Sequence, residues 1–327
     1  MSHQADVLPK PPASTKPATE ANKNAAHYFQ SLGKSAAHFF QGLEMAPDFT
    51  AADGSDRLRA MNPLTTAWRH RELLWNLAGR DLKGRYKGSI LGFLWTVLSP
   101  LFMAVIYIFF LRLLGGRGMQ ISLADIIIGV FAWQFTVQSV NSGLNAFTGN
   151  ANLVKKVFFP RLLLPASVTL SALVNFLLTL LVQLPLVIFL LWRQHEVLSI
   201  WTLAVPVVIL YHTFFNLLLA LAVSAANVYF RDTSHLVGLG LSAWFFVSPV
   251  MYPLTLVHDL AKAWPWLDDL YQLNPLTVII TAYRALQTGT PLTLTPAALV
   301  GWLWPLLAAV LIFRAFDRAQ RNFSDLL

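Results

Sequence analysis

The sequence predicts an all-α polytopic membrane protein, and three observations carry that expectation. Hydrophobic residues make up 56% of the chain and charged residues 12%, the latter about half the share of a soluble domain. Several apolar runs reach roughly 20 residues, enough for a helix to cross a hydrocarbon core about 30 Å thick. Lys and Arg gather beside the ends of those runs, where membrane topology places them. The alternating ten-residue segments of a transmembrane β-barrel are missing. With no cysteine in the chain, disulfides, thiolate metal sites and cysteine nucleophiles are excluded. The net charge of +8 follows the ends of apolar runs and does not point to nucleic acid.

Residues 1–60 read as a disordered tail. Its first 24 residues are rich in Pro, Ala, Thr and Lys and hold no apolar h-region, so no secretory leader is expected. A short aromatic repeat occupies residues 25–46: "AAHYFQSLGKS" is followed directly by "AAHFFQGLEMA". Its 11-residue period is close to three helical turns and puts Tyr28/Phe29 and Phe39/Phe40 on one face. It reads either as an amphipathic element resting on a membrane or partner, or as a duplicated linker. "GKS" at 33–35 resembles the end of a phosphate-binding loop, but that motif needs Gly where Tyr28 stands. No ATPase is expected within this chain.

Residues 61–88 predict an amphipathic interfacial helix. Leu64, Trp68, Leu74, Trp75, Ala78 and Leu82 recur at helical spacing among Arg69, Arg71, Arg80, Lys83, Arg85 and Lys87, and such a mixture favours the membrane interface. Gly84, Gly88 and Gly92 make consecutive small-xxx-small steps, which predict tight packing of this helix on the first span. A second reading makes them a joint that lets the helix shift.

Residues 89–327 predict a six-span transmembrane domain. The spans fall at about 89–113, with Pro100 as a kink, then 124–148, 162–192 with Pro165 and Pro185, 201–226, 236–254 and 296–315. Residues 255–295 hold Trp264, Trp266 and Tyr271 and suit short interfacial or re-entrant helices. With the N-terminus inside, thirteen Lys and Arg flank the spans on the inner side and five on the outer, which predicts both termini in the cytoplasm.

Polar residues inside spans are costly in lipid and therefore informative. In span two, Gln134, Gln138, Asn141 and Asn145 share a face; in span three, Ser167, Ser171, Asn175, Thr179 and Gln183 step by four. Neither stripe carries the midplane charge of an ion-coupled carrier. Amides and hydroxyls suit an uncharged, hydroxyl-rich cargo such as sugar, with Phe131, Trp133 and Phe135 offering stacking faces. The same residue types also join helices to one another. Two short loops, "GNANLVKKVFFPRLLLP" (149–165) and "ANVYFRDTSHLVG" (226–238), read either as docking helices for a cytoplasmic partner or as plain inside loops. His195/Glu196 and Asp268/Asp269 lack companions at ligand spacing, and His212 with Asn216 on span four reads as packing. A stand-alone carrier or a glycan-modifying enzyme remains a competing class, each requiring a charged constellation these positions do not supply.

"RDLKGRYKGSILGFLWTVLSPL" resembles the approach to the first span in permease subunits of polysaccharide-exporting ABC transporters. "LVKKVFFPRLLLP", "LVNFLLTLLVQLPL", "ANVYFRDTSHL", "WFFVSPVMYPL" and "LNPLTVIITAYRAL" continue the resemblance in the family's order over about residues 64–327. The O-antigen and teichoic-acid types are the most similar. The resemblance implies a half-transporter: two copies of this chain with two copies of a separate ATPase that binds ATP and Mg, and no cofactor in the chain itself. It implies a lipid-linked glycan as substrate, in the cytoplasmic (inner) membrane. Arg80, Lys83, Arg85 and Lys87 become candidates for the lipid pyrophosphate at the entrance. Gln134, Gln138, Asn141, Asn145, Asn175 and Trp133 become candidates for the channel lining. Lys155, Lys156, Phe158, Phe159 and Arg161 of one loop and Tyr229, Arg231 and Asp232 of the other become candidates for ATPase coupling. An exporter of drugs or small lipids is the alternative, as is a stand-alone glycolipid flippase.

Overall fold

The computed structural model describes residues 68–114, 122–157, 159–252, 254–264, 266–292 and 294–327. The tail 1–60 with its repeat at 25–46, the start of the interfacial helix at 61–67, and Phe158 lie outside the described residues. Among the described residues every regular element is a helix.

Helix α1, in the segment expected to be interfacial, spans Arg71–Tyr86 and packs along the third predicted span, burying Leu77 and Ala78. Trp68 and Trp75 stay 73% and 58% exposed. After Tyr86 the helix stops, because Gly88 (φ 82°) and Gly92 (φ 46°) adopt positive φ, a region that only glycine enters without a Cβ penalty. A Cβ placed on Gly84, Gly88 or Gly92 would meet nothing within 4 Å. The expectation of tight helix packing at this ladder is therefore corrected. Within the chain, Gly88 and Gly92 make the turn between α1 and the first span, with Ser89 Oγ accepting from the Gly92 amide at 3.0 Å.

The first span, α2 (Leu94–Leu114), starts later than the apolar run because of that turn, and Pro100 lies inside it. Val97 and Ala104 face the bundle, while Phe102, Val105, Phe109 and Phe110 are exposed and require lipid or a partner helix. Next, α3 (Leu123–Leu144) is the central helix, with Ile126–Trp133 buried in succession. Its predicted end at 148 is corrected to Leu144, where the chain turns into a one-turn 3-10 segment (Thr148–Asn150) and the short helix α4 (Ala151–Lys156). The longest helix, α5, spans Leu163–Arg193 and carries Pro185 in its interior, and α6 spans Val205–Tyr229.

The predicted fifth span is shorter than expected. Helix α7 covers Thr233–Val247, 15 residues, or about 22 Å at 1.5 Å per residue, which falls short of a hydrocarbon core. The apolar run continues past it, but the chain leaves the helix at Ser248, before Pro249. Three short helices follow: α8 (Leu254–Ala261), α9 (Trp266–Gln272) and α10 (Pro275–Thr288). The last of these is not interfacial, because nearly every residue of it is buried against α3, α6 and α11. The final span α11 (Pro296–Ala319) leads through a 3-10 turn into α12 (Phe323–Leu326). Among the described residues, five helical segments are thus long and apolar enough to cross a membrane, and α7 is a shorter apolar helix.

The core forms two layers. One surrounds α3 from Ala124 to Val140 and includes Phe131, Phe135, Phe176, Phe215 and Tyr283. The other gathers where α3 and α6 end and α5 begins, around Phe147, Leu163, Leu164, Phe316 and Phe323. Lys155, Lys156, Arg161, Arg231, Arg314, Arg318 and Arg321 cluster in sequence around that second layer, so it marks the basic end of the bundle.

Candidate functional site

At the entrance region the four cations separate. Arg85 Nη2 contacts the Asp81 carboxylate at 2.8 Å, one helical turn away, and donates to Ser142 Oγ of α3 at 2.8 Å. Ser171 of α5 donates to the same Asp81 oxygen at 2.5 Å. Tyr86 donates to Asn175 Oδ1 at 2.8 Å and contacts Thr96 of α2 at 2.6 Å. These bonds pin the end of α1 to three spans. Arg85 is thus committed to an internal network, and Arg80 donates to Asn150 just before α4. Lys83 and Lys87 are exposed and free of protein partners among the described residues, so they are the cations open to an anionic headgroup.

The amide residues also divide. Gln134 and Gln138 are half-buried and Asn141 and Asn145 exposed, on a face of α3 that the chain's other helices leave partly uncovered. The glutamine side chains have no hydrogen-bond partner among the described residues. The α5 stripe is sealed: Ser167, Ser171, Asn175, Thr179 and Gln183 are each at most 5% exposed. Ser171 and Asn175 hold α1, and Gln183 donates to Gln287 of α10 at 3.1 Å. That stripe joins helices. Asn175 is fully buried, and Trp133 (8% exposed) is wedged edge-on between Trp244 and Phe245. Neither borders an open face, which corrects their expected place in a channel lining.

At the basic end both predicted coupling loops contribute to the second core layer, through Val154 and Phe159 of one and Val228 of the other. Lys155 and Lys156 close α4 and are exposed, as are Arg231 and Asp232 before α7. Phe159 is buried at 9% exposure and packs inward, so it is not part of the outer surface. Arg161 donates to Ser324 Oγ at 3.2 Å and stands 6.0 Å from the Phe323 ring. Burial lowers the Arg161 guanidinium from its ordinary pKa, and Asp325 opposes that shift. Tyr229 donates to the Ala319 carbonyl at 2.9 Å.

At the opposite end, Arg284 of α10 is 5% exposed and donates to three carbonyls: Asp125 at 2.9 Å, Tyr252 at 3.1 Å and Val250 at 2.9 Å. One guanidinium therefore holds α3 and the chain after α7 to α10. Asn274 adds a second tie, donating to Ser248 Oγ at 2.8 Å and accepting from Trp244 Nε1 at 3.0 Å.

The profile of the ABC-2 type transporter family matches residues 72–288, from α1 to the end of α10. The chain belongs to the ABC-2 type transporter family. An O-antigen export system permease protein RfbA from Myxococcus xanthus is 34% identical over 243 residues, covering 72% of this chain and 90% of the relative. A protein of the same name from Klebsiella pneumoniae is 28% identical over 257 residues, covering 78% of this chain and 95% of the relative.

Three residues of this ABC-2 chain are not among the site candidates of the sequence, Arg284 being there only one of the five outer-side cations. Asp81 stands four residues before Arg85, a spacing that signals a helical ion pair and that would have removed Arg85 from the free cations. Arg284 lies inside the apolar stretch "LTVIITAYRAL", where a lone cation signals a buried, multiply bonded guanidinium. Phe323 gave no signal, because Phe147, Arg161 and Tyr229, which surround it together with Phe316, come from three distant segments.

Proposed function

We propose that this chain is the membrane-embedded subunit of an ATP-driven exporter that moves a lipid-linked, O-antigen-like polysaccharide from the cytoplasm across the inner membrane. The names of its relatives support that cargo, and the uncharged amide face of α3 is the structural observation that carries it. Gln134, Gln138, Asn141 and Asn145 offer donors and acceptors without a fixed charge, which matches a chain of sugar hydroxyls. A second copy of the chain would face this surface and close the path, with the exposed apolar residues of α2 meeting that copy or lipid.

Lys83 and Lys87 are the proposed landing site for the lipid pyrophosphate, at roughly 1 kcal/mol per cation near a charged surface. Lys155, Lys156, Arg231 and Asp232 are the proposed docking surface for a separate ATPase, two copies per assembly, which binds ATP and Mg and hydrolyses ATP. Both chain termini lie in the cytoplasm in this reading. ATP-driven movement of that end would spread the helices around the amide face.

The test is a deletion strain combined with affinity purification. The expected outcome is lipid-linked glycan accumulating on the inner leaflet, together with co-purification of an ATPase of different sequence. Normal glycan at the cell surface of the deletion strain rejects the polysaccharide reading, and loss of drug or lipid efflux in its place points to a small-molecule exporter.

A further inference from the structure

The basic end contains a contact that the transport reading does not require. Phe323 is 0% exposed, although it opens a helix of only four residues at the periphery of the bundle. Its ring centroid lies 4.7 Å from Phe147, just beyond α3, 6.1 Å from Tyr229 at the end of α6, and 6.1 Å from Phe316 in α11. The Arg161 guanidinium, just before α5, stands 6.0 Å from the same ring. One side chain thus meets the ends of four long helices.

Polar bonds fasten the rim of that contact. Arg161 donates to Ser324 Oγ and Tyr229 donates to the Ala319 carbonyl. The first bond ties the 157–162 loop to α12, and the second ties the end of α6 to the end of α11. Helix α12 also packs on α4 and α6. Lys155 and Lys156 of one loop and Arg231 and Asp232 of the other remain exposed.

We infer that Phe323 is a positioning residue: it clasps the two loops into one mechanical unit, so that force applied at either loop moves α3, α5 and α6 together. This rests on the reading that the loops receive the ATPase. A ring in van der Waals contact with four helix ends transmits displacement because packed interiors are incompressible over such distances. Without the ring, the loops retain only their own helix ends and can move separately.

The chain has no cysteine, so Lys155→Cys with Arg231→Cys accepts two nitroxide labels selectively on the full chain in lipid nanodiscs. With the labelled chain diluted into an excess of unlabelled copies, so that each assembly carries one labelled chain, the expected interlabel distance distribution is a single narrow peak. With Phe323→Ala it broadens or splits, with Phe323→Leu it broadens less, and unlabelled Phe323→Ala in cells exports glycan several-fold less at equal membrane abundance. If Phe323→Ala does not accumulate, Phe323→Leu supplies both readouts. An unchanged distance distribution overturns the clasp. A broadened distribution with undiminished export overturns its role in coupling. A parent chain that exports no glycan sinks the exporter reading alone, and the label distances still decide the clasp.

Discussion

Tyr86, the last residue of α1, donates its hydroxyl to the side-chain carbonyl of Asn175 in the middle of α5 across 2.8 Å. Asn175 is fully buried, and its Nδ2 has no partner. Tyr86→Phe would leave both polar atoms of that amide unpaired, which costs about 1–3 kcal/mol. The expected result is a lower unfolding temperature of the purified chain in lipid nanodiscs. An unchanged temperature would mean that this bond does not hold α1 to the bundle.

The entrance cations should separate by what they damage. Lys83→Gln with Lys87→Gln removes only exposed charge, so thermal stability stays the same while binding to anionic, pyrophosphate-bearing vesicles weakens. Arg85→Gln breaks the Asp81 and Ser142 contacts and lowers stability by about 1 kcal/mol, a partly exposed pair being worth no more. Equal loss of vesicle binding in both variants would defeat the distinction.

Two glycines make opposite predictions. A Cβ on Gly129 would stand 2.3 Å from the Val250 carbonyl oxygen and 2.7 Å from Arg284 Nη2. Gly129→Ala should therefore cost about 1–3 kcal/mol through overpacking and lower the folded yield. Gly84 lies inside α1 with open space around it. Gly84→Ala should be neutral or gain up to about 1 kcal/mol of helix stability. Comparing the two by thermal unfolding checks both claims.

Arg284→Leu removes the donor from three carbonyls at once and should cost at least about 3 kcal/mol. Arg284→Lys should recover little, because an ammonium group cannot reproduce the planar fork that spans three acceptors. Limited proteolysis near residues 248–253 should speed up in both variants. Full stability with lysine would show that charge alone suffices there.

The amide face of α3 should behave as a functional surface. Gln134→Leu with Gln138→Leu leaves packing intact, because neither glutamine has a protein partner, yet it should lower glycan export. Trp133→Ala should instead destabilise the chain by about 3–5 kcal/mol, since its ring is packed on Trp244 and Phe245. Export and thermal unfolding, measured on the same preparations, separate the two effects.

Much of this was legible in local patterns. Helix type followed from apolar run length, and α5 matches its predicted limits within a residue or so because a Leu-rich apolar run continues through its 31 residues up to Arg193. The failures share one cause. The apolar composition of the fifth span continues through Ser248 while the backbone turns away there. The spacing of Gly84, Gly88 and Gly92 suits a packing seam or a joint, because spacing is visible in a sequence and φ is not. Asn175 and Gln138 look alike as amides on helices, but one is sealed beneath α1 and the other is half open.

The sequence by itself determined that the chain is helical and spans a membrane, and it located the charge at one end of the bundle. Those properties depend on composition and period, which each segment carries alone. Only the tertiary structure decided which cation is free and which is bonded, which stripe is glue and which is surface, and that Phe323 joins four helix ends. These outcomes depend on what lies across from each side chain. The partners are as far apart in the chain as Arg161 and Ser324 or Asp125 and Arg284, and packing alone brings them together.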